Sequence, residues 1–566
     1  MASTSKRKET DSLVRHSADK LLHAARRRSR SEGRKDLSFV LKNSTASPNR
    51  PTKVRGLLER PTQVPKMYTP EQALNVFIDG GFTKASWQLV RSSAKGQHAD
   101  IYPAYNRIRA AKDECYPDEV VVESSRAEVS LQSLLDHTAR RLIRLQEDVI
   151  RQAAGDKQEI QLELISKWGF DGSTGHSFYK QGDIADPKND GQALVTSLVP
   201  LQMRSSSEII WQNTTPSSTR FCRPMKIEYC KETAEKSRME SEYWKGQIQQ
   251  LTEISVPLPG VTVTVAYRMQ LTMVDGKAIN AITDTSSQQR CALCGATPKV
   301  MNDLHHVTQL EVTSEHLQLG LSSLHLWIRL FECILHISYR LELKKWKIHK
   351  EDKEMFNKRK ENVKKNMWEK MNLHVDQPRV GGSGTSNDGN TARRAFSQEE
   401  LFAEATGVHQ GLIHRFAVIL QTLASGYAVD IKRLQKYCTE RAEMYVEQYE
   451  WYPMPASLHK VLIHGADVTE SLILPVGMMS EEAQEARNKD VRAYRLRHAR
   501  KDSRVHTMAD QMGYLLVTSD PVVSSSSVRR YNKRAASRQA LLSEAVALLS
   551  SSTGIQQDQE SGDSDC

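Results

Sequence analysis

The sequence predicts a mixed α/β protein in which a strand-rich layer leads into a long helical region. Three patterns carry that expectation. Between residues 155 and 275, short runs alternate apolar and polar residues with period two. A helix-like run interrupts them before the last and longest strand, the arrangement expected of a mixed sheet with helices packed on it. From residue 322 onward the apolar spacing changes to three and four, the period of an amphipathic helix.

The elements follow in order. Residues 1–65 are rich in Lys, Arg, Ser, Thr and Pro with almost no apolar periodicity, and read as a largely disordered basic tail. Arg26, Arg27 and Arg28 lead a cluster in that tail that suits a nuclear-import signal, a DNA-backbone contact or a plain solvated segment. Residues 66–154 read as helical, with Leu131, Leu134, Leu135, Leu142, Leu145 and Ile150 on one stripe that suits a core or a dimer seam. Residues 155–290 hold the strands: IQLELISKWGF, QALVTSLVPLQM, SEIIWQN and RPMKIEYC, then the helix ETAEKSRMESEYWKGQIQQLTEI and the strand VTVTVAYRMQLTMV, which ends at Asp275 and Gly276. Residues 291–474 read as helical, including one continuous pattern from Ser322 to about Met371 with a lysine-rich face at 344–365. Residues 475–523 form a further helical region, and 524–566 read as a largely disordered tail.

Composition narrows the functions. Lys and Arg outnumber Asp and Glu by 79 to 68, giving a net charge of +11 and a pI near 9.1, which favours an anionic partner such as nucleic acid. No apolar run reaches the length of a membrane span, and MASTSKRKETDSL has no apolar signal core, so an intracellular protein with no membrane partner is expected. Eight cysteines with a single C-x-x-C pair fit a reducing compartment better than a disulfide framework.

Two groups of residues carry chemistry. Cys291 and Cys294 in CALCGATPK have the spacing that lets two thiolates reach one zinc, and His459 and His464 in LHKVLIH offer the other pair of ligands. Unrelated buried thiols or a redox dithiol are the alternatives for the C-x-x-C on its own. Asp171 ends the first strand, in KWGFDGSTGHSFYKQ, and Glu232 is expected at the end of the fourth. Carboxylates at one sheet edge can hold two divalent ions and activate water against a phosphodiester. A turn-forming Asp and a helix N-terminal Glu are the plain alternatives. Residues from Met478 on read as a helix opened by Ser480 and Glu481, with Glu485 one turn inside and Lys489 and Arg492 following, which suits a metal ligand beside phosphate contacts or a solvated, salt-bridged helix.

These pieces resemble Transib-type DNA transposases and, more distantly, the catalytic subunit of the vertebrate V(D)J recombinase. The resemblance rests on KWGFDGSTGHSFYKQ, FCRPMKIEYCKET, CALCGATPK, KMNLHVDQP, NDGNTARRAF, LHKVLIHGADV and SEEAQEARNKDVRAYR, in family order between about residues 155 and 520. It implies a ribonuclease-H-like sheet interrupted by a large α-helical, zinc-bearing insertion, with a helical N-terminal DNA-binding and dimerisation region. Asp171, Glu232 and Glu485 are then the ligands of two catalytic Mg2+ or Mn2+ ions, and Cys291, Cys294, His459 and His464 hold one structural zinc. At the second acid the chain departs from the recombinase, which has an aspartate followed by a glutamate where Lys231 and Glu232 stand here.

The resemblance further implies a nuclear, homodimeric cut-and-paste enzyme. Such an enzyme binds terminal inverted repeats, nicks DNA, forms hairpins on the flanking ends and joins the excised ends to target DNA, with room for an accessory DNA-bending protein. Lys344, Lys345, Arg393 and Arg394 join Arg26, Arg27, Arg28, Lys489 and Arg492 as candidate phosphate contacts. A decayed or domesticated copy that binds DNA without cutting it is the alternative expectation.

Overall fold

The computed structural model describes residues 10, 12–44, 66–176, 190–206, 208–378, 385–526 and 541–550. The chain divides into two compact units, one of Met1–Met67 with Ser92–Tyr102, the other of Tyr68–Arg91 with Pro103–Cys566.

In the first unit α1 (Ala18–Ser31) and α2 (Lys35–Ser44) form a helical hairpin turned at Gly33, whose φ of +76° suits a residue without a Cβ. This corrects the expectation of a tail without regular structure over 1–65. Ser29 and Ser38 are buried where the hairpin closes, so apolar periodicity alone underestimated it. The rest of that tail lies outside the described residues.

The larger unit opens with α3 (Pro70–Asp79), started by a capping box between Thr69 and Gln72. It continues through α4 (Lys84–Gly96) and α5 (Tyr105–Asp113) into β1 (Val120–Val122), β2 (Arg126–Val129), α6 (Leu131–Leu145) and α7 (Glu147–Ala154). Residues 126–129 were expected to be helical. They pair with a strand of the main sheet instead, and α6 begins only at Leu131.

The sheet then builds from β3 (Glu159–Thr174), β4 (Gln192–Arg204), β5 (Ile209–Gln212) and β6 (Arg223–Glu228), crosses through α8 (Ala234–Gln249), and returns as β7 (Ile254–Leu258) and β8 (Val261–Leu271). Its order is β1-β2-β6-β4-β3-β8-β7, with β5 on β4. The β3–β4 and β4–β6 pairs are antiparallel, whereas β8 runs parallel to β3 from Glu159↔Thr262 to Trp168↔Leu271. The sheet is therefore mixed: its two longest strands, β3 and β4, are antiparallel, and β8 points the same way as β3. Trp168, Phe170, Leu194, Leu198, Met225 and Ile227 are among the buried residues that cover its core, each worth roughly 1.5–3 kcal/mol of apolar burial.

After α9 (Gly276–Ile282) and the single turns α10 (Leu304–Val307) and α11 (Ser314–Leu317), the chain becomes helical: α12 (Ser323–Ser338), α13 (Lys353–Met371), α14 (Gly389–Phe396), α15 (Glu399–Thr406), α16 (Gln410–Ala424), α17 (Ile431–Tyr449) and α18 (Ala456–Ser471). These enclose a separate core that includes Phe331, Phe396, Phe402, Phe416 and Tyr445. The continuous helix expected from Ser322 to Met371 is two helices, because residues 339–352 turn back with Lys344 at a left-handed φ of +49°.

Helices α19 (Glu482–Arg497), α20 (Arg504–Thr518) and α21 (Pro521–Ser525) then return to the sheet. Asp520 is fully buried and accepts from Arg141 of α6 at 2.9 and 2.8 Å, so a two-pronged ion pair fastens this return to the N-terminal helices. The C-terminal segment expected to be disordered contains one more helix, α22 (Ser543–Ala547). Ala545, Leu548 and Leu549 are buried, and Glu544 pairs with Arg415 and accepts from Tyr437. Residues 527–540 and 551–566 lie outside the described residues. Among those that are described, no single helix is long and apolar enough to cross a membrane.

Candidate functional site

Strand β3 runs past the end of its parallel partner, and this overhang creates the site. Pairing with β8 stops at Trp168↔Leu271, while pairing with β4 continues through Asp171↔Val195 to Thr174↔Gln192. Backbone N–H groups of Thr272 and Met273 both donate to the Trp168 carbonyl at 3.1 Å, drawing the end of β8 tightly across β3. Gly169 permits this: a Cβ there would lie 2.1 Å from the Met273 carbonyl oxygen.

Asp171 is half-buried at this edge, and burial pushes its carboxyl up to about 7, aided by the negative charges of Asp275, then Glu232 and, more weakly, Glu485. Asn488 opposes the rise by donating to Asp171 Oδ2 at 2.7 Å. Four carboxylates from four parts of the chain therefore share one electrostatic site. Asp171, Glu232 and Glu485, the acids expected from the sequence, all belong to it.

Their placement differs from expectation in two respects. Asp171 lies inside β3, which continues in register with β4 through Thr174 instead of ending at the acid. Glu232 lies four residues beyond the end of β6, just before the Thr233 cap of α8, rather than at a strand end. It reaches β3 because Gly172 has no side chain: a Cβ there would lie 2.4 Å from Glu232 Oε2. Burial and Asp275 raise the Glu232 carboxyl, against the nearby Lys277 ammonium at 3.4 Å.

Asp275 is the acid that sequence reasoning missed as a site residue. It lies four residues beyond the end of β8, close enough to Asp171 for its charge to raise that carboxyl, and accepts from the Ala278 N–H at 2.7 Å as the cap of α9. The available signal was V-D-G-K at the end of the longest late strand, which becomes informative only once β8 is known to pair with β3.

Glu485 arrives on the first turn of α19, with Lys489 one turn later at 3.2 Å. Side chains fasten that helix to the sheet. Gln484 donates to the Val195 carbonyl at 2.8 Å, opposite Asp171 in the β3–β4 register. Arg393 of α14 pairs with Glu482 and lies over the Trp327 ring, 5.7 Å from its centroid, joining the helical region to the same helix. Ser322 and His325 both contact the buried Glu481 carboxylate. Burial disfavours a charged imidazole at His325, but Glu481 more than compensates and raises it.

The candidate phosphate contacts divide. Lys345 is held by Asp352 at 3.1 Å, Lys489 by Glu485 and Arg393 by Glu482. Lys344, Arg394 and Arg492 are exposed, and Arg492 lies near Gly175 just beyond Asp171. In the smaller unit Arg26, Arg27 and Arg28 fall on α1, with Arg28 paired to Glu32 at 2.5 Å.

Cys291, Cys294, His459 and His464 converge, with one ligand atom from each within 4.8 Å of the others. The two cysteines flank a tight knuckle in which Gly295, at φ +70°, donates to the Cys291 carbonyl. Cys294 Sγ and His459 Nε2 are 3.4 Å apart, close to the ~3.5 Å edge of a zinc tetrahedron with bonds of ~2.0–2.3 Å. His464 Nε2 is buried with no hydrogen-bond partner among the described residues, an arrangement that suits metal ligation. The donor set can therefore bind a metal such as zinc, and it joins α18 to a knuckle whose Cys291 and Leu293 lie in the helical core while Ala292 packs against the sheet core.

The fold and these sites define a mixed α/β protein with a Cys2His2 cluster able to hold a metal and an acidic cluster on its sheet edge. No protein-family model matches the chain, and no curated protein is significantly similar to it.

Proposed function

We propose that this chain is a metal-dependent DNA transposase of the Transib type, built on a ribonuclease-H-like sheet with a zinc-bearing helical insertion. The observation that carries the reading is the convergence of Asp171, Asp275, Glu232 and Glu485 on one sheet edge, where burial and mutual repulsion leave negative charge in want of cations. The strand order β6-β4-β3-β8, antiparallel until the last parallel pair, supports the fold assignment. The basic composition and the ordered motif resemblance support DNA as the substrate.

Asp171 and Glu485 hold divalent ions in this reading, with Asp275, just past β8, as the second ligand and Glu232 as an outer acid restrained by Lys277. Two Mg2+ or Mn2+ ions, when bound, would polarise the phosphodiester and lower the pKa of attacking water or a 3′ hydroxyl. The protein's own part is orientation. Asn488 fixes the Asp171 carboxylate, Gln484 fixes the helix that carries Glu485, and exposed Arg492 and Arg394 are placed to take phosphate charge. The enzyme acts in the nucleus as a homodimer on paired terminal repeats, and its zinc holds the helical insertion to the catalytic half.

Incubating the purified protein with Mn2+ or Mg2+ and duplexes carrying the repeats that flank its gene tests the proposal. Nicked and hairpin products from the parent, absent with Asp171→Asn although DNA binding persists, are expected. DNA binding without product on verified intact repeats would favour a domesticated copy and overturn the enzymatic reading.

A further inference from the structure

Lys167 is wholly buried in β3, four residues before Asp171, and its two hydrogen bonds go to backbone carbonyls, Met478 O at 2.8 Å and Ser480 O at 2.6 Å. Between them Met479 O accepts from Thr272 Oγ1 at 2.8 Å, from a residue three positions before Asp275. Three consecutive carbonyls ahead of α19 are thus held by the two strands that present Asp171 and Asp275. A residue further back, Ile473, donates to Gln270 Oε1 at 3.1 Å, and Gly477 packs where a Cβ would lie 2.6 Å from the Ala424 carbonyl oxygen.

A buried ammonium held by carbonyls alone is a poor choice for stability, since an apolar side chain of the same length would fill the space without the desolvation cost. What the lysine supplies is direction. Its N–H groups fix two peptide planes at the entry to the helix, and Thr272 fixes the plane between them. The next residues are Glu481, which Ser322 and His325 hold from the other side, and then the first turn with Glu485.

We propose that Lys167, together with Thr272, forms a carbonyl clasp that sets α19, and hence Glu485, against Asp171 and Asp275. Both are positioning residues: their side chains are buried and donate to backbone carbonyls, not to any of the four acids. The inference rests on the transposase reading for its catalytic consequence, but its structural content, control of the start of α19, stands apart from it.

The test uses the full-length chain with Lys167→Met and, because a buried charge change can disturb folding, Thr272→Val as a milder, nearly isosteric second variant. Amide hydrogen exchange over 482–490, melting temperature, duplex binding, single-turnover cleavage and its Mn2+ dependence are compared with the parent. Lys167→Met is expected to melt at or above the parent temperature and bind duplex as the parent does. Its 482–490 amides exchange about tenfold faster, its half-saturating Mn2+ rises about tenfold, and cleavage falls by roughly 100-fold, the scale of a ~1 Å misplacement. Thr272→Val moves the same quantities in the same direction by a smaller factor.

Folded variants with parental exchange and parental metal dependence would overturn the clasp. A parent that cuts no substrate would count against the transposase reading alone, and the exchange comparison would still decide whether Lys167 and Thr272 set the helix. If Lys167→Met does not fold, Thr272→Val decides.

Discussion

Asn488 donates to Asp171 across 317 residues of chain, at 2.7 Å, and this contact closes the acidic site. It ties the second turn of α19 to the overhang of β3 and steadies the ionised form of a carboxyl that burial and three acids push the other way.

Removing that donor therefore has a signed consequence. Asn488→Ala should raise the pH at which Asp171 ionises by about 0.5–1 unit, the usual scale for one lost hydrogen bond to a carboxylate. At limiting Mn2+ the cleavage-versus-pH profile of the parent should rise through a midpoint near 7, and that of the variant should lie to its alkaline side. A variant profile superimposed on the parent's would separate Asn488 from the site.

The same shift makes Asp171 a burden on the metal-free fold. A carboxyl raised from 3.8 to about 7 in the native state keeps its proton while the unfolded chain loses it, so stability falls as pH rises between those values. Fully developed this amounts to ~4 kcal/mol, and partial solvent access at the carboxyl reduces it to about 2–3 kcal/mol. Asp171→Asn should accordingly raise the melting temperature of protein kept free of Mg2+ and Mn2+ at pH 8 and leave it nearly unchanged at pH 4. A turn-forming aspartate without this burden would give no such gain.

Two glycines should rank by what they face. At Gly169 an added Cβ meets the Met273 backbone at 2.1 Å, whereas at Gly172 it meets the Glu232 carboxylate, which can swing aside, and the Glu232 Cβ at 2.8 Å, which requires a smaller shift of the loop before α8. Gly169→Ala should cost about 3 kcal/mol or more and Gly172→Ala about 1–2 kcal/mol in denaturant unfolding. Equal costs would contradict the tight crossing of β8 over β3.

Much of this was legible in the sequence, and the failures have a common cause. Strands β3, β4, β6 and β8 could be read because period-two alternation is local, and the C-x-x-C knuckle because its ligands are three residues apart. Asp171 could be singled out as well, although the strand expected to end there runs on through Gly172, Ser173 and Thr174 in register with β4. Asp275 could not, since nothing local distinguishes a helix cap from an acid facing another strand. Its charge beside Asp171, where the chain leaves β8, assigns that second role. Glu232 was assigned to a strand end because RPMKIEYC alternates beyond the point where β6 stops pairing at Glu228. The helical hairpin α1–α2 escaped notice because its arginines mask a short apolar face.

Zinc should hold the helical region to the sheet side of the larger unit. The purified protein should contain one equivalent of zinc per chain, and His464→Ala or Cys291→Ser should lose it together with several kcal/mol of stability, as structural zinc binding is coupled to folding. Metal analysis with thermal unfolding in 1,10-phenanthroline checks this. Full metal content in His464→Ala would exclude the proposed ligand set.

The central claim is that the acids gathered at the end of β3 are the catalytic ligands, and single-turnover cleavage of terminal-repeat DNA tests it by comparing Asp275→Asn with Glu232→Gln in Mn2+. The account predicts loss of at least ~1000-fold for Asp275→Asn and about tenfold or less for Glu232→Gln, a ligand against a neighbouring charge. Parental cutting by Asp275→Asn, with Glu232→Gln inactive, would contradict the assignment of the second ligand. Parental cutting by both would remove these two acids from the catalytic centre.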